Sequence, residues 1–214
     1  MRKFALLLLA SGMFGMAGAQ QLTLGDHYTL RSYTGQAFGR VMANSLKFNS
    51  IHVLTNNTSI CSSLVGALGS GYLDPEGKRK MNTTVLNAPE DAQNLNPTTE
   101  AVALIFGGQA SPEVNYSLTK ASLRRLADTN YNGAVFFHLR IWAPKFVERA
   151  AQEDPAIARY LANKENLYSV TADLQNKVVR LWQVSVKEGK QTTVRELGTV
   201  PLNPNWEDLL RRSL

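Results

Sequence analysis

Apolar positions along this chain recur with helical spacing in some stretches and alternate in others. From Gln36, the residues Phe38, Val41, Met42, Ser45 and Leu46 follow one helix face, predicting a helix over 36–46 behind Thr34-Gly35 as a cap. "FNSIHVLT" then reads as a strand, with Phe48, Ile51, Val53 and Leu54 among β-branched neighbours. Ile60, Leu64, Ala67 and Leu68 lie on a second helical face, capped by Thr58 or Ser59, with Cys61 in its first turn. Gly69 and Gly71 fall where that helix is expected to stop, because glycine takes the left-handed C-cap conformation without a Cβ clash.

Residues 74–100 are rich in Pro, Gly, Asn, Asp, Glu and Thr and read as a loop-rich excursion. "AVALIFGG" is a continuous apolar run suited to a strand buried on both faces. A helix capped by Ser117 follows, carrying Leu118, Ala121, Ser122 and Leu126 inward, and "GAVFFHLRIW" supplies the next strand. Strand, helix and strand across 101–142 form a crossover unit between parallel strands. A helical insertion occupies 144–164, with Asp154-Pro155 opening a fresh helix. "LYSVTADL", "VVRLWQVSV" and "TTVREL" make an antiparallel meander, and Trp206, Leu209 and Leu210 mark a short terminal helix. The fold class is α+β (or α/β): a single mixed sheet with packed helices and a C-terminal antiparallel meander.

The first residues change the picture of compartment. Arg2 and Lys3 precede the apolar run Phe4 to Ala10, and Ala17-Gly18-Ala19 stands before Gln20. This is the pattern of a secretory signal peptide, residues 1–19, with cleavage expected after Ala19; the run is too short for a span of about 20 residues. The remainder, 20–214, has the length of a single domain and contains no long apolar run, so no transmembrane segment is expected after cleavage. The protein is therefore expected to be periplasmic or secreted. The chain holds 23 basic and 17 acidic residues, and loss of Arg2 and Lys3 leaves a dispersed excess of +4. That implies weak attraction to anionic polymers and no nucleic-acid footprint.

Cys61 is the one cysteine, so no internal disulfide forms. At a helix start, free backbone N–H groups and the helix dipole favour a thiolate. "CSSLV" resembles the "CSGLV" around the nucleophile of the NlpC/P60 cell-wall peptidases, which implies a cysteine hydrolase with His138 as the base. The chain departs from that pattern at Ile60 and Ser63. Burial of Cys61 as a small apolar residue accounts for the same stretch. The glycines behind it lack the Lys and Ser/Thr of a phosphate loop. "SLTK", Ser117 to Lys120, has the S-x-x-K spacing of penicillin-recognising enzymes but no SDN or KTG partner, and a helix cap explains it. His27, His52 and His138 are too scattered for a metal site. Catalytic, cofactor-binding and metal residues are thus read as none, and no cofactor is expected.

In the order of its elements, the helix entering "IHVLT", then "LRRLADTNYNGAVFFHLRIW", then "LWQVSVKEGKQTTV", resembles the α/β domain of the TolB amino-terminal region and the curli secretion lipoprotein. The resemblance implies a periplasmic module that binds an envelope protein partner and performs no chemistry. The reading is an exported, non-enzymatic binding or assembly module of the bacterial cell envelope, with the Cys61–His138 hydrolase as the alternative.

Overall fold

The computed structural model describes residues 21–213; the expected signal peptide lies outside them. One mixed sheet of seven strands runs through the described residues. Helix α1 (Leu24–Arg40) continues through a π-helical turn at Val41–Ser45 into strand β1 (Ser50–Asn56). Helix α2 (Ser59–Tyr72), β2 (Lys80–Leu86), a 3-10 turn at Pro89–Asn94, β3 (Ala101–Ile105), α3 (Pro112–Asp128) and β4 (Ala134–Phe137) follow. Three helices, α4 (Leu139–Trp142), α5 (Phe146–Glu153) and α6 (Pro155–Ala162), lead into β5 (Leu167–Asp173). The chain closes with β6 (Val178–Lys187), β7 (Lys190–Pro201) and α7 (Pro204–Ser213).

The spatial order is β2-β1-β3-β4-β5-β6-β7. Strands β2 to β5 in that order are parallel, and β6 and β7 run antiparallel to their neighbours. Glu188 and Gly189, both at positive φ, make the tight turn between β6 and β7. Side chains alternate along β3, so Ala101, Ala103 and Ile105 join the core under α1, α2 and α7, while Val102 and Leu104 join the core under α3, α5 and α6. Burial on both faces is why this strand is apolar throughout.

Helix α1 starts twelve residues earlier than the apolar spacing indicates. A capping box opens it: the Asp26 N–H donates to Thr23 Oγ1 at 3.1 Å, and the Thr23 N–H donates to Asp26 Oδ2 at 2.9 Å. Its buried side is built from Leu30, Arg31, Gly35, Phe38 and Gly39, and an arginine and two glycines do not register as an apolar stripe.

Close contacts at three glycines explain a second correction. A Cβ on Gly35 would strike the Leu64 carbonyl, one on Gly39 the Leu68 carbonyl, and one on Gly71 the Gln36 carbonyl. Gly71 is therefore the floor of a close helix crossing inside α2, and neither it nor Gly69 ends the helix. Helix α2 stops at Tyr72, ahead of Asp74-Pro75, where the proline ring disfavours helical backbone in the residue before it.

Three further expectations change. The excursion at 74–100 contains β2, paired in parallel with β1 from Ser50↔Lys80 to Asn56↔Leu86. As an edge strand it buries little besides Leu86, so its sequence stays polar. Ser111, with Pro112 behind it, caps α3, and Ser117 lies inside that helix. The strand expected over "GAVFFHLRIW" ends at Phe137, and His138 caps α4. Among the described residues no helix is long and apolar enough to cross a membrane.

Candidate functional site

After β1 the chain turns to β2 on one side of the sheet, and β3 then takes the opposite flank of β1. The intervening helices α2 and α3 pack on opposite faces. Their departures leave a crevice outside the carboxyl ends of β1 and β3, the place where open α/β sheets bind ligands.

Asn56, at the end of β1, organises this edge. Its Nδ2 donates to the Gly107 carbonyl at 2.9 Å and to Asn115 Oδ1 at 3.0 Å, while Thr58 Oγ1 donates to Asn56 Oδ1 at 2.8 Å. Asn115 Nδ2 in turn donates to the Ala110 carbonyl at 3.1 Å. The loop after β3 is thereby tied to both helix starts. Gly108 holds φ +67°, and a Cβ there would lie 2.6 Å from Thr58 Oγ1 and 3.1 Å from Cys61 Sγ.

The thiol and the imidazole suggested by the sequence both sit at this edge, Cys61 against Gly108 and His138 against Gly107. They are not joined into a catalytic pair. His138 Nδ1 accepts the Arg140 N–H at 3.3 Å, which leaves the other ring nitrogen to donate to the Phe106 carbonyl. Burial first, then the positive charges of Arg31 and Arg140, push its pKa down to about 3. A ring with both nitrogens engaged has no lone pair for a thiol. Burial also pushes the Cys61 thiol up, against the opposing influence of the Thr58 hydroxyl and the charge of Arg31. The helix-start environment that favours a thiolate is overcome because Cys61 is only 3% exposed.

Ser117 and Lys120 share α3, and Lys120 Nζ is 2.7 Å from Glu153 Oε2. His52 Nε2 lies 2.8 Å from Thr84 Oγ1, across the β1–β2 pair. Among the described residues no group of three His, Cys, Asp or Glu side chains could hold a metal ion.

Beside this edge, over the carboxyl ends of β3 and β4, lies a cleft of about 600 Å³. The loop Gly107–Ala110 and the start of α3 form one wall; Leu139, Pro144 and Phe146 form another; Thr171 and Ala172 of β5 close a side. Three cationic or titratable side chains of unlike origin meet there: His27 and Arg31 from α1, and Arg140 from α4. Arg31 was not visible as a site residue from composition. The signal available was its register, one turn before Gly35 and two before Phe38 on the side of α1 that packs.

No curated protein matches the chain. Among solved structures it is similar to an extracellular ligand-binding receptor from Verminephrobacter eiseniae, at 14% identity and TM-score 0.41, over 69% of this chain and 37% of that one. It is similar to a possible leucine/isoleucine/valine-binding protein from Rhodopirellula baltica at 12% identity and TM-score 0.38, over 68% and 38%. The chain spans less than two fifths of the length of either. A family model described as "Uncharacterized protein" matches residues 27–209, and this chain belongs to that family.

Proposed function

We propose that this protein is a non-enzymatic binding module of the bacterial cell envelope, and that its site is the cleft over the carboxyl ends of β3 and β4. The observation that carries this is the cleft itself. A volume of about 600 Å³ is that of a small-molecule site, mostly apolar walls surround a few convergent polar groups, and it lies on the carboxyl-end side of the parallel strands. The catalytic alternative loses its base, since His138 is a neutral helix cap. Export is supported by Arg2-Lys3, the apolar run after them and Ala17-Gly18-Ala19.

A thermal-shift screen of small molecules against the wild-type chain and an Ala143→Trp variant tests the site, because Ala143 is exposed on the cleft wall. A true ligand at one hundred times its Kd raises the wild-type midpoint by roughly 5–10 °C and leaves the variant unmoved. Equal shifts in both proteins, or none in the wild type, sink the reading. Intact mass of the protein from an envelope fraction tests export: the mature chain begins at Gln20.

A further inference from the structure

Arg31 is 7% exposed, yet among the described residues it has no ion-pair or hydrogen-bond partner. Its titratable neighbours are Arg140, of like charge, and the neutral Cys61 thiol. A guanidinium does not shed its proton in a protein, so a standing charge sits on a nearly buried side chain whose unpartnered nitrogens keep a little solvent exposure, and such charges are kept where they are paired. The cleft beside it contains no aspartate or glutamate. Arg140, exposed at the rim, spends one N–H on the Ser213 carbonyl at 3.1 Å and has no carboxylate partner among the described residues. His27 Nδ1, a third group on the same wall, is buried with no hydrogen-bond partner. Two arginines therefore converge on a cavity whose walls, among the described residues, carry no counter-charge, with the His27 ring beside them.

We infer that Arg31 is the anchor for the carboxylate of an amphiphilic organic acid, held at its base with Arg140 and His27 while the apolar body of the ligand lies along Leu139, Pro144 and Phe146. This rests on the cleft being the binding site and adds the class of its ligand. The planar guanidinium matches a carboxylate through two parallel N–H···O bonds. A single buried arginine suits one negative charge, and an apolar wall suits a chain or ring in place of a sugar or a second phosphate. Burial at this position also explains why a charge is tolerated in the core side of α1: its partner arrives with the ligand, so stability is traded for binding.

The test uses hexanoate and 3-phenylpropanoate, their neutral primary amides and inorganic phosphate as probes, titrated calorimetrically into the full mature chain. The carboxylates bind at least tenfold more tightly than their amides. Arg31→Met brings carboxylate affinity down to that of the amide, and it raises the ligand-free melting midpoint by a few degrees because it removes an unpaired buried charge. Arg140→Gln, at an exposed position, folds regardless and weakens carboxylate binding several-fold. Equal binding of acid and amide overturns the inference, as does a lowered ligand-free midpoint in Arg31→Met, Arg31-dependent binding of phosphate in preference to the acids, or no binding by either acid. If acid and amide bind equally and Ala143→Trp blocks both, the cleft reading stands alone; if Ala143→Trp leaves hexanoate binding unchanged, the cleft reading falls as well.

Discussion

Asn56 Nδ2 and Asn115 Oδ1 are hydrogen-bonded at 3.0 Å, joining the end of β1 to the first turns of α3 across fifty-nine residues of chain. Asn56 is 2% exposed and Asn115 6%, so each is desolvated and each depends on the other. Through Gly107 and Ala110 the pair also sets the loop that forms the cleft wall. Truncating Asn56 to alanine strands Asn115 Oδ1 and the Gly107 carbonyl, and the expected loss is about 2–4 kcal/mol. Urea denaturation of Asn56→Ala, Asn115→Ala and the double variant checks it, the double costing clearly less than the sum of the singles.

The crossing of α1 and α2 makes opposite demands on glycines of the same helix. Gly71→Ala drives a methyl into the Gln36 carbonyl and costs about 2–4 kcal/mol, whereas Gly66→Ala meets open space and stabilises by about 0.5–1 kcal/mol. Melting midpoints that move in the same direction would contradict the crossing.

Cys61 is expected to behave as an inert core thiol. Iodoacetamide at pH 7 leaves the folded protein unmodified, and full labelling appears only with denaturant, since burial suppresses both access and the thiolate. Cys61→Ala costs about 1–2 kcal/mol through lost packing and leaves ligand binding intact. Rapid labelling of the native state would revive the cysteine hydrolase.

His138 governs the acid side of stability. Its folded pKa of about 3 lies below the ordinary 6.5, so the unfolded chain takes up the proton first. The contribution is fully present above pH 6.5 and declines as pH falls toward 3, at about 1.4 kcal/mol per pH unit. His52, also lowered by burial, adds to the same slope with the same sign. Between pH 6.5 and about 5.5 the unfolded chain has barely begun to protonate carboxylates such as Glu153, Asp173, Asp26 and Glu207, which their partners hold below the usual range in the folded state and which add a slope of the same sign only at lower pH. Denaturation curves at intervals across that window therefore isolate the histidines. His138→Asn, which preserves a helix-cap acceptor, flattens the dependence while lowering stability at pH 7.

Much of the architecture was legible along the chain. The βαβ unit over 101–142 appears as expected in type and order, because β3 and β4 bury both faces and leave an unbroken apolar run. The meander was legible because apolar positions alternate along β5 and β6 and the turn KEGK, with Gly189 at positive φ, joins β6 to β7. Strand β2 was not, since an edge strand stabilised by backbone pairing with β1 needs no apolar pattern.

The site was legible only as separate pieces. Cys61 and His138 stood out as chemistry-bearing residue types, and they do reach the same edge of the sheet, but their hydrogen bonds and burial spend them on structure. Arg31 looked like one more dispersed cation. By itself the sequence determined which segments pair and which faces pack, because those choices follow from local periodicity and turn chemistry. Tertiary structure alone decided that Gly35, Gly39 and Gly71 would bring α1 against α2, and that α1 would present an unpartnered guanidinium beside Arg140 above β3 and β4. Burial and charge pairing are properties of residues distant in the chain, and only folding brings them within reach of one another.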